Sequence, residues 1–392
     1  MTHIFINALA ASAGGGLTYI RNVVPCLAAR NNARVTLLVG NSLRHEIAQS
    51  ERVTVLAEQY PQGIVQRFWY EQRAVPAILR ASGADILLST GNFALFRSPV
   101  PQILLSRNAL YTSADFLRDL RDRGDYRMLL DTKIKAALAR WSVRAASCTV
   151  APSETFAQEL QQWTGQNVSF IHHGFNPDTF FKQEQALPPE TEQKFAATAG
   201  SVRILFVSHY NYYRNFETLI RAVALLKKYL HPRAVRLVLT CKLHSPDNPG
   251  SYHAENAAAL VQKLGLAAEV IELGAVHYAA LHHLYRHCDI YATPAYAETF
   301  AHPLVEAMAS GLPVIASDLP VHREICGAAA LYFPRFSPEI LAERVMQVSS
   351  SAQRHQQMRE IGLSRSHDFS WDKHVDQLLQ LARQLAKLPA PA

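Results

Sequence analysis

Residues 290–316 read Ile290-Tyr291-Ala292-Thr293-Pro294-Ala295-Tyr296-Ala297-Glu298-Thr299-Phe300-Ala301-His302-Pro303-Leu304-Val305-Glu306-Ala307-Met308-Ala309-Ser310-Gly311-Leu312-Pro313-Val314-Ile315-Ala316. Residues 290–293 make a short strand. Pro303 then opens a helical stretch, 303–310, at the one place in a helix where a missing N–H costs little. Gly311 stands where a helix C-cap is wanted, Pro313 ends any continuation, and 313–316 is a second strand. The segment predicts a strand–loop–helix–strand unit of a parallel sheet. It puts Glu298 in the loop at the carboxyl end of a strand, where open α/β sheets bind ligands. Glu306 falls about one turn into the helix, whose first N–H groups form an anion site.

The same alternation continues outward. Strands are predicted at 203–207, 235–240 and 270–273, with helices at 216–229, 253–264 and 278–288 between them. The first half repeats the theme, with strands at 4–8, 35–39, 53–56, 85–88, 102–105, 149–151 and 168–171. Its long helices are expected at 63–80 and 113–146. Between 176 and 201 the pattern fades into a Gln/Glu/Lys-rich, proline-bearing stretch, which reads as a connection. The expected division is a first lobe at 1–180, a linker at 181–201 and a second lobe at 202–371. A final helix, about 372–392, is expected to pack back on the first lobe. The fold class is α/β, with two Rossmann-like doubly wound lobes facing across a cleft.

Composition agrees with a folded two-domain chain. There are 392 residues, 49% apolar and 18% charged, more than one hydrophobic core accommodates. No apolar run reaches the roughly 20 residues that span a bilayer. The first residues read as a buried strand rather than a signal peptide, so the cytoplasm is the expected location. The five cysteines are scattered and form no C-x-x-C pair, which argues against disulfide or zinc frameworks. Metal ligands are not expected: His283 and His287 have helical i,i+4 spacing but no third partner, and no D-x-D motif is present. The charge of +7 is moderate, and no nucleic-acid module accompanies it.

The segment from Pro294 to Val314 resembles the E-x7-E signature of retaining glycosyltransferases of family 4, which have the GT-B fold. Glu298 and Glu306 fall on its two glutamates. The resemblance implies that Glu298 faces the donor sugar, that Glu306 holds the nucleotide ribose, and that amides near Phe300, Ala301, His302 and Leu304 meet the sugar and pyrophosphate. Thr299 and Ala301 stand where the family often has Gly, so this loop is less permissive. A second segment, Arg203-Ile204-Leu205-Phe206-Val207-Ser208-His209-Tyr210-Asn211-Tyr212-Tyr213-Arg214-Asn215-Phe216, runs strand, loop, helix start and resembles the family's phosphate loop. Arg214 falls on the family's Lys position, and its planar fork suits phosphate oxygens. His209 falls on the family's Arg position, and Lys242 is a nearby cation able to compensate. Gly274 resembles the turn that borders the base pocket.

The first lobe carries Gly14-Gly15-Gly16, which lacks dinucleotide spacing. By itself this run is equally a flexible turn or a phosphate cradle. The resemblance tips it toward a loop over the donor phosphate and acceptor, through Gly15 and Gly16. Relatives often place a His after the strand at 102–105; here Arg107 or Asn108 takes that position, each able to donate to a sugar hydroxyl. His172-His173-Gly174-Phe175 resembles the family's hinge wording and reads as structural. From 118 to 144 there are eight Lys/Arg against four Asp. This basic stretch reads first as an amphipathic helix packed on its own lobe, and second as a membrane-surface face.

These readings converge on a metal-independent, retaining hexosyltransferase without a cofactor. Its donor would be a UDP- or GDP-type sugar and its acceptor a carbohydrate or lipid-linked sugar hydroxyl, in cell-surface polysaccharide or glycan assembly. Peripheral contact with the inner face of a membrane is a further expectation. The alternatives are a non-catalytic GT-B partner subunit, and a nucleotide-sugar epimerase or hydrolase.

Overall fold

The computed structural model describes residues 1–11, 14–61, 63–182 and 185–387. The chain forms two compact units. The first holds Met1–Ser113, Leu120–Gly174 and the chain from Ser370 onward. The second holds Ala114–Asp119 and Phe175–Phe369.

Through the first unit the elements run β1 (Thr2–Asn7), α1 (Gly14–Ala28), β2 (Ala33–Gly40), β3 (Val53–Glu58), α2 (Ile64–Ser82), β4 (Ile86–Ser89) and β5 (Gln102–Leu105). They continue with α3 (Ala114–Asp122), whose first six residues belong to the second unit, and then α4 (Tyr126–Ala145), β6 (Cys148–Ala151), α5 (Glu154–Thr164) and β7 (Val168–Phe170). Among the described residues the sheet has seven strands in the order β3-β2-β1-β4-β5-β6-β7, all parallel. Consecutive residues such as Ile86, Leu87 and Leu88 are all fully buried, as expected of a sheet covered on both faces.

The second unit continues with α6 (Pro177–Phe181), α7 (Pro189–Ala196), β8 (Val202–Phe206), α8 (Phe216–Tyr229), β9 (Val235–Leu239), α9 (Glu255–Lys263), β10 (Val270–Glu272), α10 (Leu281–His287) and β11 (Ile290–Thr293). After these come α11 (His302–Ala309), β12 (Val314–Ser317), α12 (Pro320–Cys326), β13 (Ala330–Phe333), α13 (Pro338–Ser349) and α14 (Ala352–Ser366). Its parallel sheet is ordered β10-β9-β8-β11-β12-β13. The order reverses direction between β8 and β11, which is where a doubly wound sheet opens a crevice at its carboxyl edge.

The last helix, α15 (Trp371–Ala386), belongs to the first unit. Val375, Leu378, Leu379 and Ala382 repeat at helical spacing and are buried with Ile20, Val23 and Val24 of α1. Arg30 fixes the helix from outside through Asp372 (2.9 Å) and Asp376 (2.8 Å). The expected continuation over residues 388–392 lies outside the described residues.

The structure differs from the sequence reading in four places. The stretch 113–146 is not one helix: Gly124, at φ 71°, breaks it into α3 and α4, and the Asp125 side chain caps the second. Gly14–Gly16 is not a loop but the first turn of α1. A Cβ on Gly16 would stand 3.2 Å from the Ala11 backbone, so this glycine allows a close approach. The stretch read as patternless contains α6 and α7, started by Pro177 and Pro189 in the first turn. Strand β13 and helices α12 to α14 extend the second unit beyond the expected core.

Candidate active site

Two loops meet at the reversal point of the second sheet. One leaves β8 and carries His209 and Arg214; the other leaves β11 and carries Glu298. Because β8 and β11 are neighbours, with Leu205 paired to Tyr291, their carboxyl ends lie side by side. There Arg214 forms an ion pair with Glu298, donating from Nη1 to Oε2. The side chains are only 21% and 11% exposed. The Thr299 amide donates to the other oxygen of Glu298 (2.9 Å). Burial pushes the Glu298 carboxyl up, but the Arg214 charge and the Thr299 amide outweigh it and hold the group below its ordinary value. Arg214 also lies over the Tyr213 ring, 5.2 Å from its centroid.

Asn215 fastens the two loops. It sits in the left-handed region (φ 57°) and donates to Pro294 O (3.1 Å) and Arg335 O (2.7 Å) while accepting from Thr218 Oγ1 (2.8 Å). Tyr296 N bonds Tyr213 O (3.0 Å) and adds a second tie. Sequence reasoning passed over Asn215. Its signal was present: an Asn directly before a helix, a residue type that tolerates αL.

His322, also missed, lies on α12 within electrostatic reach of Glu298 and Arg214 and is fully buried. Its Nδ1 is 3.0 Å from Ser317 O, and a carbonyl only accepts, so Nδ1 carries the proton. Burial lowers its pKa to about 4, leaving a neutral ring whose Nε2 is an acceptor with no partner among the described residues.

The helix entrance is strained. Ala301 has φ 63° and ψ 69°, left-handed values that cost a residue with a Cβ about 1 kcal/mol or more. Phe300 and Leu304 point into the core, so only their backbone is on offer, and the Leu304 amide is already bonded to Ala301 O (3.0 Å). Phe300 stacks edge-on with His302 at 5.0 Å.

Glu306 lies one turn inside α11 and is 5% exposed. Tyr285 donates to it at 2.8 Å, and Tyr278 also hydrogen-bonds it. Burial raises its carboxyl to about 7 despite both hydroxyls. Gly274 (φ 80°) and Lys242 are adjacent, the lysine stem passing 3.6 Å from where a Cβ on Gly274 would stand. His209 is exposed. Partial desolvation and then the Arg214 charge lower its pKa.

In the first unit, Arg107 braces the glycine turn. Its guanidinium donates to Gly15 O (3.1 Å) and Thr90 O (2.9 Å) and covers the Tyr19 ring at 5.1 Å. Asn108 accepts from the Leu110 amide (3.0 Å), capping a short 3-10 turn. His173 is buried against the rings of Tyr19, Trp371 and His374, 5.3 to 5.7 Å between centroids. Among the described residues no group of three His, Cys, Asp or Glu side chains is arranged to hold a metal.

The chain matches two family models. Residues 13–179 match the model described as Glycosyltransferase Family 4, and residues 189–365 match that of Glycosyl transferases group 1. It is similar to D-inositol 3-phosphate glycosyltransferase of Corynebacterium aurimucosum, 25% identical over 230 residues, covering 57% of this chain and 53% of the relative. An uncharacterized glycosyltransferase of Methanocaldococcus jannaschii is 31% identical over 156 residues, 39% of this chain and 36% of the relative. The chain thus spans about half or less of the curated relatives it matches. Among solved structures it resembles sucrose-phosphate synthase of Thermosynechococcus elongatus, with TM-score 0.78, 18% identity, and coverage of 98% and 99% of the two chains. It also resembles Anabaena HepE in complex with UDP-glucose, with TM-score 0.71, 17% identity, and coverage of 98% and 100%. At these identities the likeness speaks for the GT-B fold.

Proposed function

Because this chain belongs to the glycosyltransferases, family 4 over its first half and group 1 over its second, we propose that it moves a glycosyl group from a nucleotide diphosphate sugar to a hydroxyl acceptor, with retention at the anomeric carbon. The observation that carries the reading is the Arg214–Glu298 pair at the reversal point of the second sheet. A cation and a carboxylate at adjacent strand ends match a bond that breaks into an anionic pyrophosphate and a cation-like sugar.

As the bond from the anomeric carbon to the phosphate oxygen lengthens, negative charge grows on the leaving group. Arg214 and the helix-entrance amides meet that charge. Glu298, released from Arg214, orients the sugar hydroxyls and favours the positive charge on the ring. Glu306 accepts from the ribose hydroxyls, and Gly274 with Lys242 borders the base. In the first unit, the turn at Gly15 and Gly16, braced by Arg107 and followed by Asn108, offers groups of the kind that suit phosphate and sugar hydroxyls. The acceptor oxygen attacks from the face the phosphate leaves, and its proton passes to the departing phosphate oxygen. No carboxylate is then needed as a base, and configuration is retained. The wider role proposed is cell-surface polysaccharide or glycan assembly.

Thermal unfolding with UDP, GDP and ADP tests the donor site, with UDP first because the HepE complexes hold it. A ligand at 100 times its Kd stabilises by about 2.7 kcal/mol. One nucleotide should raise the melting temperature, and Glu306→Ala should abolish the rise. If no nucleotide shifts the transition, the donor-site reading fails. Proton NMR of the product's anomeric signal then decides between retention and inversion.

A further inference from the structure

Helix α4 is apolar on two opposite sides. Leu129, Thr132, Ala139, Ser142 and Val143 are buried on its own unit. Tyr126, Leu130, Ile134 and Trp141 are 67%, 61%, 48% and 57% exposed. At 100° per residue these four fall in one sector, roughly opposite the buried set, along a stripe about 22 Å long. Large apolar side chains left bare in a row, rather than singly, mark a surface with a partner.

The charges around the stripe identify that partner. Arg127, Lys133, Arg140 and Arg144 flank it and are all exposed. Arg140 is held at the margin, 5.9 Å from the Trp163 ring centroid. The single carboxylate of α4, Asp131, lies beyond Arg127 on one side of the stripe and is paired with Lys135. Tyr126 and Trp141 stand at the two ends, and aromatic residues of this kind settle at the level of lipid headgroups.

We propose that this face of α4 docks the protein on an anionic lipid surface, with the apolar stripe inserted between headgroups and the basic flanks above them. A second copy is disfavoured as the occupant, because a two-fold contact through this face would set basic rows against each other. The inference goes beyond the proposed transfer reaction and does not depend on it.

Flotation of the full chain with vesicles tests it directly. The protein should float with phosphatidylcholine–phosphatidylglycerol vesicles at low salt, far less with phosphatidylcholine alone, and less again as salt rises. Leu130→Ser with Ile134→Ser should abolish flotation. Arg127→Gln with Lys133→Gln should weaken it roughly fivefold per charge removed. Melting temperatures should be unchanged, since all four side chains are exposed. Lys182→Gln with Lys194→Gln, on the second unit, should float like the parent. Three results overturn the proposal: no binding to anionic vesicles at low salt, equal binding by the stripe variant, or equal loss in the Lys182/Lys194 variant. Concentration-dependent dimerisation that the stripe variant removes, without vesicle binding, would assign the face to a second copy instead.

Discussion

Arg214 and Glu298, 84 residues apart in sequence, are each other's charge partner. The pair explains how a carboxylate is kept ionised with only 11% of its side chain exposed. It also means that a phosphate approaching Arg214 competes with Glu298 for the same fork.

Removing one partner should therefore be worse than removing both. Arg214→Met strands a buried carboxylate and should cost roughly 3 kcal/mol, whereas Arg214→Met with Glu298→Gln should recover a large part of that loss. Urea unfolding of the two singles and the double measures the coupling. Strictly additive losses would mean the two groups do not act as a pair. Nucleotide affinity should fall in every variant that lacks Arg214.

Glu306 should make stability depend on pH. Its carboxyl ionises near 7 in the folded chain, against 4.5 as its ordinary value. Between these two the folded state keeps a proton that the unfolded state has lost, so stability falls as pH rises through the window, by roughly 3 kcal/mol in all. Below 4.5 both states are protonated and this contribution no longer changes. Glu306→Gln should flatten the slope between pH 5 and 7. If the ribose hydroxyls bond the ionised form, nucleotide binding to the parent should release a proton near pH 6, visible by calorimetry in buffers of different ionisation heat.

Ala301→Gly should stabilise the chain by roughly 0.5–1 kcal/mol, the relief of left-handed strain less the extra freedom of the unfolded chain. Ala301→Val should do the reverse. An unchanged denaturation midpoint in both would show that the helix entrance is not strained.

Gly174→Ala should be severe. The added Cβ would stand 2.1 Å from Trp371 N and 2.5 Å from Ser370 C, backbone atoms that cannot swing aside. A loss of at least about 3 kcal/mol is expected. A melting temperature within a degree of the parent's would contradict it.

The sheets were legible because buried parallel strands are runs such as Ile86-Leu87-Leu88, which need no knowledge of their neighbours. The loop bearing Glu298 was legible because proline and glycine bracket the helix behind it. What escaped was set by distant contacts. Tyr285 meets Glu306 from another helix, His322 approaches Glu298 from α12, and Asn215 joins loops that only sheet order makes adjacent. Gly14–Gly16 misled because three glycines argue for a turn when seen alone. The exposed row on α4 was hidden for a related reason: with both sides apolar, the pattern says nothing of which side is covered.

Phe175 and Phe369, the residues at which the chain enters and leaves the long segment of the second unit, are joined by a backbone hydrogen bond, Phe175 N to Phe369 O at 3.4 Å. That segment begins and finishes at one spot, like a loop tied off at its neck. A cassette of this shape can be lengthened, shortened or exchanged for a related one without altering the span its ends must bridge. Sequence change can thus be accommodated inside the loop while the chain at the neck stays fixed.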